Sequence, residues 1–164
     1  MSTTLVVVTS DQHVGSTVAL CCPRINLDDG PTYVASKSQR WLWQNWQVFW
    51  RRVEKVRARE KARLIQVFNG DLTEGQHHGS TQILSGNSSV QAAAVAECMK
   101  LPLDLGPDAV FIIRGTEAHV GKSAEAEEKI ADGLRRNKNP VVIDSDTGTS
   151  SHWHHGPQNG GWNT

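Results

Sequence analysis

Three apolar runs in this chain each end on residues able to bind a cation. Leu64-Ile65-Gln66-Val67-Phe68-Asn69 stops on Gly70-Asp71, Leu5-Val6-Val7-Val8-Thr9-Ser10 runs into Asp11-Gln12-His13, and Ala109-Val110-Phe111-Ile112-Ile113-Arg114 runs into Gly115-Thr116-Glu117-Ala118-His119. Apolar runs this short, bounded by turn residues, read as buried strands. A Gly-Asp dipeptide after a single strand is a common turn and carries no message. Delivery of Asp, Glu or His at the same end of three strands does carry one. In an open α/β sheet the carboxyl ends of parallel strands line the crevice where ligands bind.

Segments with helical spacing lie between the runs. Ser36 is a suitable N-cap for a helix reaching about Ala62, with Leu42, Trp46, Phe49, Val53 and Val56 on one face and Trp43 and Trp50 widening it. Tryptophans at that spacing predict core packed on the sheet rather than a platform for stacking bases. A second helix is expected from about Val90 to Leu101, turning Val90, Ala94, Val95 and Cys98 inward and ended by Pro102 and Gly106-Pro107. A third is expected from about Ser123 to Arg136, burying Ile130 and Leu134, with Asn139-Pro140 as its stop and Val141-Val142-Ile143-Asp144 as a fourth strand. The order β-α-β-α-β-α-β predicts an α/β fold, a mainly parallel sheet flanked by helices. The stretch from Cys21 to Tyr33, with Pro23 and Asp28-Asp29-Gly30-Pro31, lacks a period and reads as a long loop, either a rim over the site or a surface excursion. At 164 residues the chain fits one α/β domain over residues 1–144, followed by a Gly/Ser/His-rich segment over residues 145–164.

Lys plus Arg equals Asp plus Glu at 17 each, so no global field favours nucleic acid or membrane. Basic residues crowd the first helix, among them Arg51, Arg52, Lys55, Arg57, Arg59 and Lys61. Such a run reads first as a solvated face and only mildly favours a polyanion. Cys21, Cys22 and Cys98 form neither a disulfide framework nor a zinc spacing. With no basic leader and an apolar run too short for a signal peptide or a span, the expected compartment is the cytoplasm, without a membrane partner.

The seven histidines, His13, His77, His78, His119, His152, His154 and His155, all fall in loops after predicted strands. Gathered at one sheet edge with Asp11, Asp71 and Glu117, they predict a metal cluster. Mixed carboxylate and imidazole donors suit borderline and hard divalent ions such as manganese, iron, zinc or magnesium. With two ions a carboxylate is the natural bridge, and Asp71 is placed for it.

Asp11-Gln12-His13, Gly70-Asp71 and Gly115-Thr116-Glu117-Ala118-His119, ending in His154-His155-Gly156, resemble in order and spacing the calcineurin-like metallophosphoesterases, closest to the short members of phage and prophage genomes. The resemblance implies a hydrolase with two divalent metal ions, which activate a bridging hydroxide for in-line attack on a phosphodiester or phosphomonoester, with a nucleic acid or nucleotide as a possible substrate. It implies Asp11 and His13 on the first ion, the bridge at Asp71, Thr116 on the second ion, and His154 and His155 completing the shell. His119 is the implied acid for the leaving group. Glu74, His77, Glu117 and His152 are further potential ligands. Thr116 and Glu117 stand where the family has Asn and His, so the third motif departs from the pattern. The family fold is a β-sandwich with helices outside, whereas this chain has room for about four strands, which implies a truncated version or a fragment.

Two rival readings remain. Gly115 to Ser123 follows a strand and opens a helix as a phosphate-binding loop does, but five residues separate Gly115 from Gly121-Lys122-Ser123 where a P-loop has four. The other rival is a truncated phosphoesterase-like domain that turns nothing over, because a sheet without its partner layer exposes an apolar face.

Overall fold

A computed structural model describes residues 2–76, 81–116, 125–136 and 141–144. Its elements are β1 (Thr4–Ser10), β2 (Arg24–Asn26), β3 (Thr32–Val34), α1 (Lys37–Glu60), β4 (Arg63–Asn69), α2 (Ser88–Asp104), β5 (Ala109–Ile113), α3 (Glu125–Arg136) and β6 (Val141–Asp144). The main sheet has the order β1-β4-β5-β6 and every neighbouring pair is parallel. The fold is therefore α/β, as the alternation of apolar runs and helical segments predicts.

Parallel neighbours in sequential order require a crossover between each pair, and right-handed crossovers then place every helix on the same face. The packing agrees. Val7, Gln66 and Val110 form one row across the sheet and Phe68 and Ile112 belong to the next, all but fully buried. Trp50 and Val53 of α1, Ala94, Val95, Cys98 and Met99 of α2, and Ile130, Ala131 and Leu134 of α3 close over that side. Among the described residues no helix covers the opposite rows, Val6 with Ile65 and Val8 with Val67 and Phe111; Val6 is 53% and Val8 59% exposed.

Ser36 caps α1 as its sequence position predicts, and Gln39 completes a capping box: the Gln39 amide donates to Ser36 Oγ at 3.3 Å and the Ser36 amide donates to Gln39 Oε1 at 3.0 Å. The buried stripe of α1 is centred on Trp50 and Val53, with Trp43 and Trp46 half-buried. Phe49 lies on its margin, and Trp41 is 62% exposed, outside the core expected for this cluster. Of the basic run, Arg51, Arg52, Lys55 and Arg59 are solvated. Arg57 is not: it donates to the Leu105 carbonyl and pairs with Asp108 at 3.5 Å, pinning the end of α1 to the end of α2.

Two expectations are corrected. The stretch from Cys21 to Tyr33 is not a featureless loop, because β2 and β3 pair antiparallel with Ile25 opposite Tyr33. Strands of three residues offer one alternation only, with Ile25 buried between exposed Arg24 and Asn26, which is too short to stand out as a period. Gly30, at φ +98°, makes the turn, and Leu27 donates its amide to the Pro31 carbonyl at 3.0 Å.

Nor does Pro102 end the second helix, which continues to Asp104. Proline breaks a helix by removing the N–H that would reach the carbonyl four residues back. That carbonyl, on Cys98, instead accepts from the Trp46 indole Nε1–H at 3.1 Å, and the Pro102 carbonyl accepts from Gln66 Nε2 at 2.6 Å. The α1 indole thus replaces the N–H that the proline lacks, and the β4 side-chain amide satisfies the carbonyl of the proline itself. Trp46→Phe removes this donor together with part of a ring packed against Trp50 and is expected to cost about 1–3 kcal/mol in urea denaturation. Trp41→Phe, on exposed surface, is expected to stay within about 0.5 kcal/mol.

Candidate metal centre

The register brings the strand ends side by side. Ser10 of β1 lies beside Asn69 of β4, which lies beside Ile113 of β5. Past that line the loops remain zipped by main-chain hydrogen bonds. The amides of Asp11, His13 and Val14 donate to the carbonyls of Gly70, Asp71 and Leu72 at 3.3, 2.9 and 2.9 Å, and Glu74 donates back to Val14 at 3.1 Å. The Gly70 amide reaches the Ile113 carbonyl at 3.1 Å. Asp11, His13 and Asp71 are therefore fixed to one another through backbone.

One donor atom from each of Asp11, His13 and Asp71 falls within 4.8 Å of the others. His13 Nε2 lies 3.7 Å from Asp11 Oδ1, and its Nδ1 lies 3.1 Å from Glu74 Oε2. The Glu74 carboxylate thus lies at ion-pair distance from one ring nitrogen, and the other ring nitrogen faces Asp11. Asp71 is held from the third strand: Thr116 donates its amide to Oδ1 at 2.8 Å, and its hydroxyl lies 3.3 and 3.4 Å from the two carboxylate oxygens. Asp71 is only 7% exposed, whereas the Asp11 side chain is 64% exposed. The cluster is buried on one side and open on the other.

The backbone is strained at these same residues. Asp11, His13 and Asp71 have φ of +57°, +45° and +49°, and the fourth non-glycine residue with positive φ among the described residues is Lys61, the C-cap of α1. Each such residue costs on the order of 1 kcal/mol and persists only where its surroundings over-determine it. Sterics add a second constraint. Gly70 has φ +75°, and a Cβ on Gly115 would lie 2.1 Å from Asp71 Oδ1 and 2.4 Å from the Asp71 amide nitrogen. The third strand can approach Asp71 this closely only with glycine there.

Two buried polar residues that the sequence reading passed over support these loops. Gln91 of α2 accepts from the Gly75 amide at 2.9 Å, donates to the Ser85 carbonyl at 2.9 Å, and lies directly against Gly15. Glu127 of α3 is fully buried and accepts from the Gly115 amide at 2.9 Å and the Leu72 amide at 3.2 Å. Burial chiefly pushes the Glu127 carboxyl above its ordinary range, and the charge of Asp71 adds to the rise, while the two amides oppose it. A signal for Glu127 existed: with Ile130, Ala131 and Leu134 it falls at helical spacing, an acid on the apolar stripe.

Of the residues singled out from sequence, Asp11, His13 and Asp71 come together, Glu74 backs His13, and Thr116 holds Asp71 as a hydrogen-bond donor. His77, Glu117, His119, His152, His154 and His155 lie outside the described residues, as does most of the P-loop-like stretch ending at Ser123. Three donors of mixed oxygen and nitrogen type fit a hard or borderline divalent ion. Among the described residues no helix is long and apolar enough to cross a membrane. No protein-family model matches the chain, and no curated protein or solved structure matches it either.

Gly115→Ala tests the steric argument. The added methyl group is expected to cost about 2 kcal/mol of stability by chemical denaturation. It should also weaken Mn2+ binding measured by calorimetry, because either Asp71 or the chain after β5 must move.

Proposed function

We infer that this protein is a metal-dependent phosphoester hydrolase whose ions are held at the carboxyl edge of the sheet. The observation that carries the reading is the coincidence of left-handed backbone with the donor set: Asp11, His13 and Asp71 are three of the four described non-glycine residues with positive φ and also the clustered donors. Backbone held in sparsely populated conformations by its surroundings clusters at functional sites. The motif order that resembles the calcineurin-like metallophosphoesterases supports the same reading and supplies the reaction class.

Asp11, His13 and Asp71 would hold the first ion, and Asp71, turned toward Thr116, would be shared with a second that draws on His119, His154 or His155. When bound, two such ions supply Lewis acidity toward the phosphoryl oxygens and acidify a water to near neutrality. Glu74, at ion-pair distance from His13 Nδ1, would orient that ring, and Thr116 holds the Asp71 carboxylate through its amide. Substrate would enter on the exposed side of Asp11, and His119 would protonate the departing oxygen. Manganese is the leading ion, and a diester or monoester, free or within a nucleotide or nucleic acid, is the substrate class.

The test is hydrolysis of bis(p-nitrophenyl) phosphate and p-nitrophenyl phosphate by metal-stripped protein, with Mn2+, Ni2+, Zn2+ or Mg2+ restored. Metal-dependent turnover is expected, and Asp71→Asn is expected to lower it by about two orders of magnitude or more. Folded protein that takes up no metal overturns the reading. The exposed Val6 and Val8 favour a second reading, a domain that binds metal without turning substrate over. Mn2+ uptake with no hydrolysis of either ester would establish it.

A further inference from the structure

We propose that Glu127 is a positioning residue for the metal centre, a carboxylate clip on α3 that sets the spacing between the loop carrying Asp71 and the loop carrying Thr116. The inference rests on the metal-centre reading and adds to it a residue from outside the three ligand motifs. Glu127 touches none of the donor atoms of Asp11 or His13. It acts on backbone: Oε1 accepts from Leu72, the residue after Asp71, and Oε2 accepts from Gly115, the residue before Thr116.

These two loops meet at two glycines, with the Asp71 carboxylate as the side chain that bonds across them. A Cβ on Gly70 would lie 3.1 Å from the Gly115 Cα, and one on Gly115 would fall 2.1 Å from Asp71 Oδ1. The contact therefore gains little from dispersion and is held by hydrogen bonds: Gly70 to Ile113, Thr116 to Asp71, and the two amides gathered by Glu127. A carboxylate is the side chain suited to this place, because each of its oxygens accepts and two converging N–H donors can be met at once. A glutamine offers one accepting oxygen, and its amino group would face the second N–H. An apolar residue would leave both amides buried without a partner.

The location carries a cost that points to a purpose. Glu127 is fully buried close to Asp71, so two carboxylates share a poorly solvated region. Arg114, which pairs with Glu128, eases this cost only in part: its charge favours the ionised form of Glu127, yet burial still raises the carboxyl. A helix that only needed to dock on the sheet would present an apolar side chain here, as it does at Ile130, Ala131 and Leu134. The clip instead fixes Thr116 against Asp71, and hence the direction in which the Asp71 carboxylate faces His13 and Asp11.

The experiment compares wild type, Glu127→Gln and Leu134→Ala at a temperature where all three are folded, reading Mn2+ affinity by calorimetry and amide exchange at Leu72 and Gly115 by NMR. Leu134→Ala removes packing from the same helix without touching either loop. Expected are faster exchange at Leu72 or Gly115 and an Mn2+ affinity lowered about tenfold or more in Glu127→Gln, with affinity within about twofold of wild type in Leu134→Ala. Where Glu127→Gln does not fold, Glu127→Asp, which keeps the charge and both oxygens one methylene further back, is read in the same way. Unchanged affinity in the folded Glu127 variant overturns the proposal while leaving the metal centre intact, and so does an equal loss in Leu134→Ala, which would assign the effect to helix docking. Wild-type protein that takes up no Mn2+ overturns the metal-centre reading itself, and the positioning role with it.

Discussion

Parallel pairing of β1, β4 and β5 in register is the constraint on which the rest of the molecule depends. With Ser10, Asn69 and Ile113 in one row, whatever follows each strand must emerge at one edge. The chain then turns sharply three times at nearly the same height. Left-handed backbone at Asp11, His13 and Asp71, and glycine at 70 and 115, are the local expressions of those turns. Because the loops are joined through main-chain hydrogen bonds, the donor cluster inherits the stiffness of the sheet. A site carried this way is set by strand register more than by side-chain packing.

The same topology determines what remains uncovered. Sequential strand order sends α1, α2 and α3 to one face, and the rows headed by Val6 and Val8 stay partly in water on the other. Parallel sheets ordinarily bury both faces. An apolar outer row on an edge strand is thus the least conventional feature of the fold, and it lies on β1, the strand that delivers Asp11 and His13.

Inside, polar side chains do structural work that an apolar core would not. Gln39 joins the hairpin to the loop after His13, accepting from the Tyr33 hydroxyl at 2.8 Å and donating to the Ser16 carbonyl at 3.0 Å. Trp46 and Gln66 reach the proline turn of α2, Gln91 ties down the loop beyond Glu74, and Glu127 gathers Leu72 and Gly115. Buried amides and carboxylates are costly unless satisfied, so each of these specifies one arrangement of its neighbours. The Asp11, His13 and Asp71 cluster is framed by such residues on two sides.

The sequence by itself determined the strand and helix order, the parallel sheet, the Ser36 cap and the convergence of Asp11, His13 and Asp71, because period, capping chemistry and crossover rules are local or nearly so. Tertiary structure alone decided the rest. The hairpin at Arg24 and Tyr33 rests on pairing too short to leave a pattern, and α2 passes through Pro102 because an indole from another helix supplies the missing bond. Thr116 became a donor to Asp71 through the close approach at Gly115, and Glu127 entered the site from 56 residues beyond Asp71 in the chain. These are contacts between distant segments, and the spacing of residues along one segment cannot encode which partner will arrive across the fold.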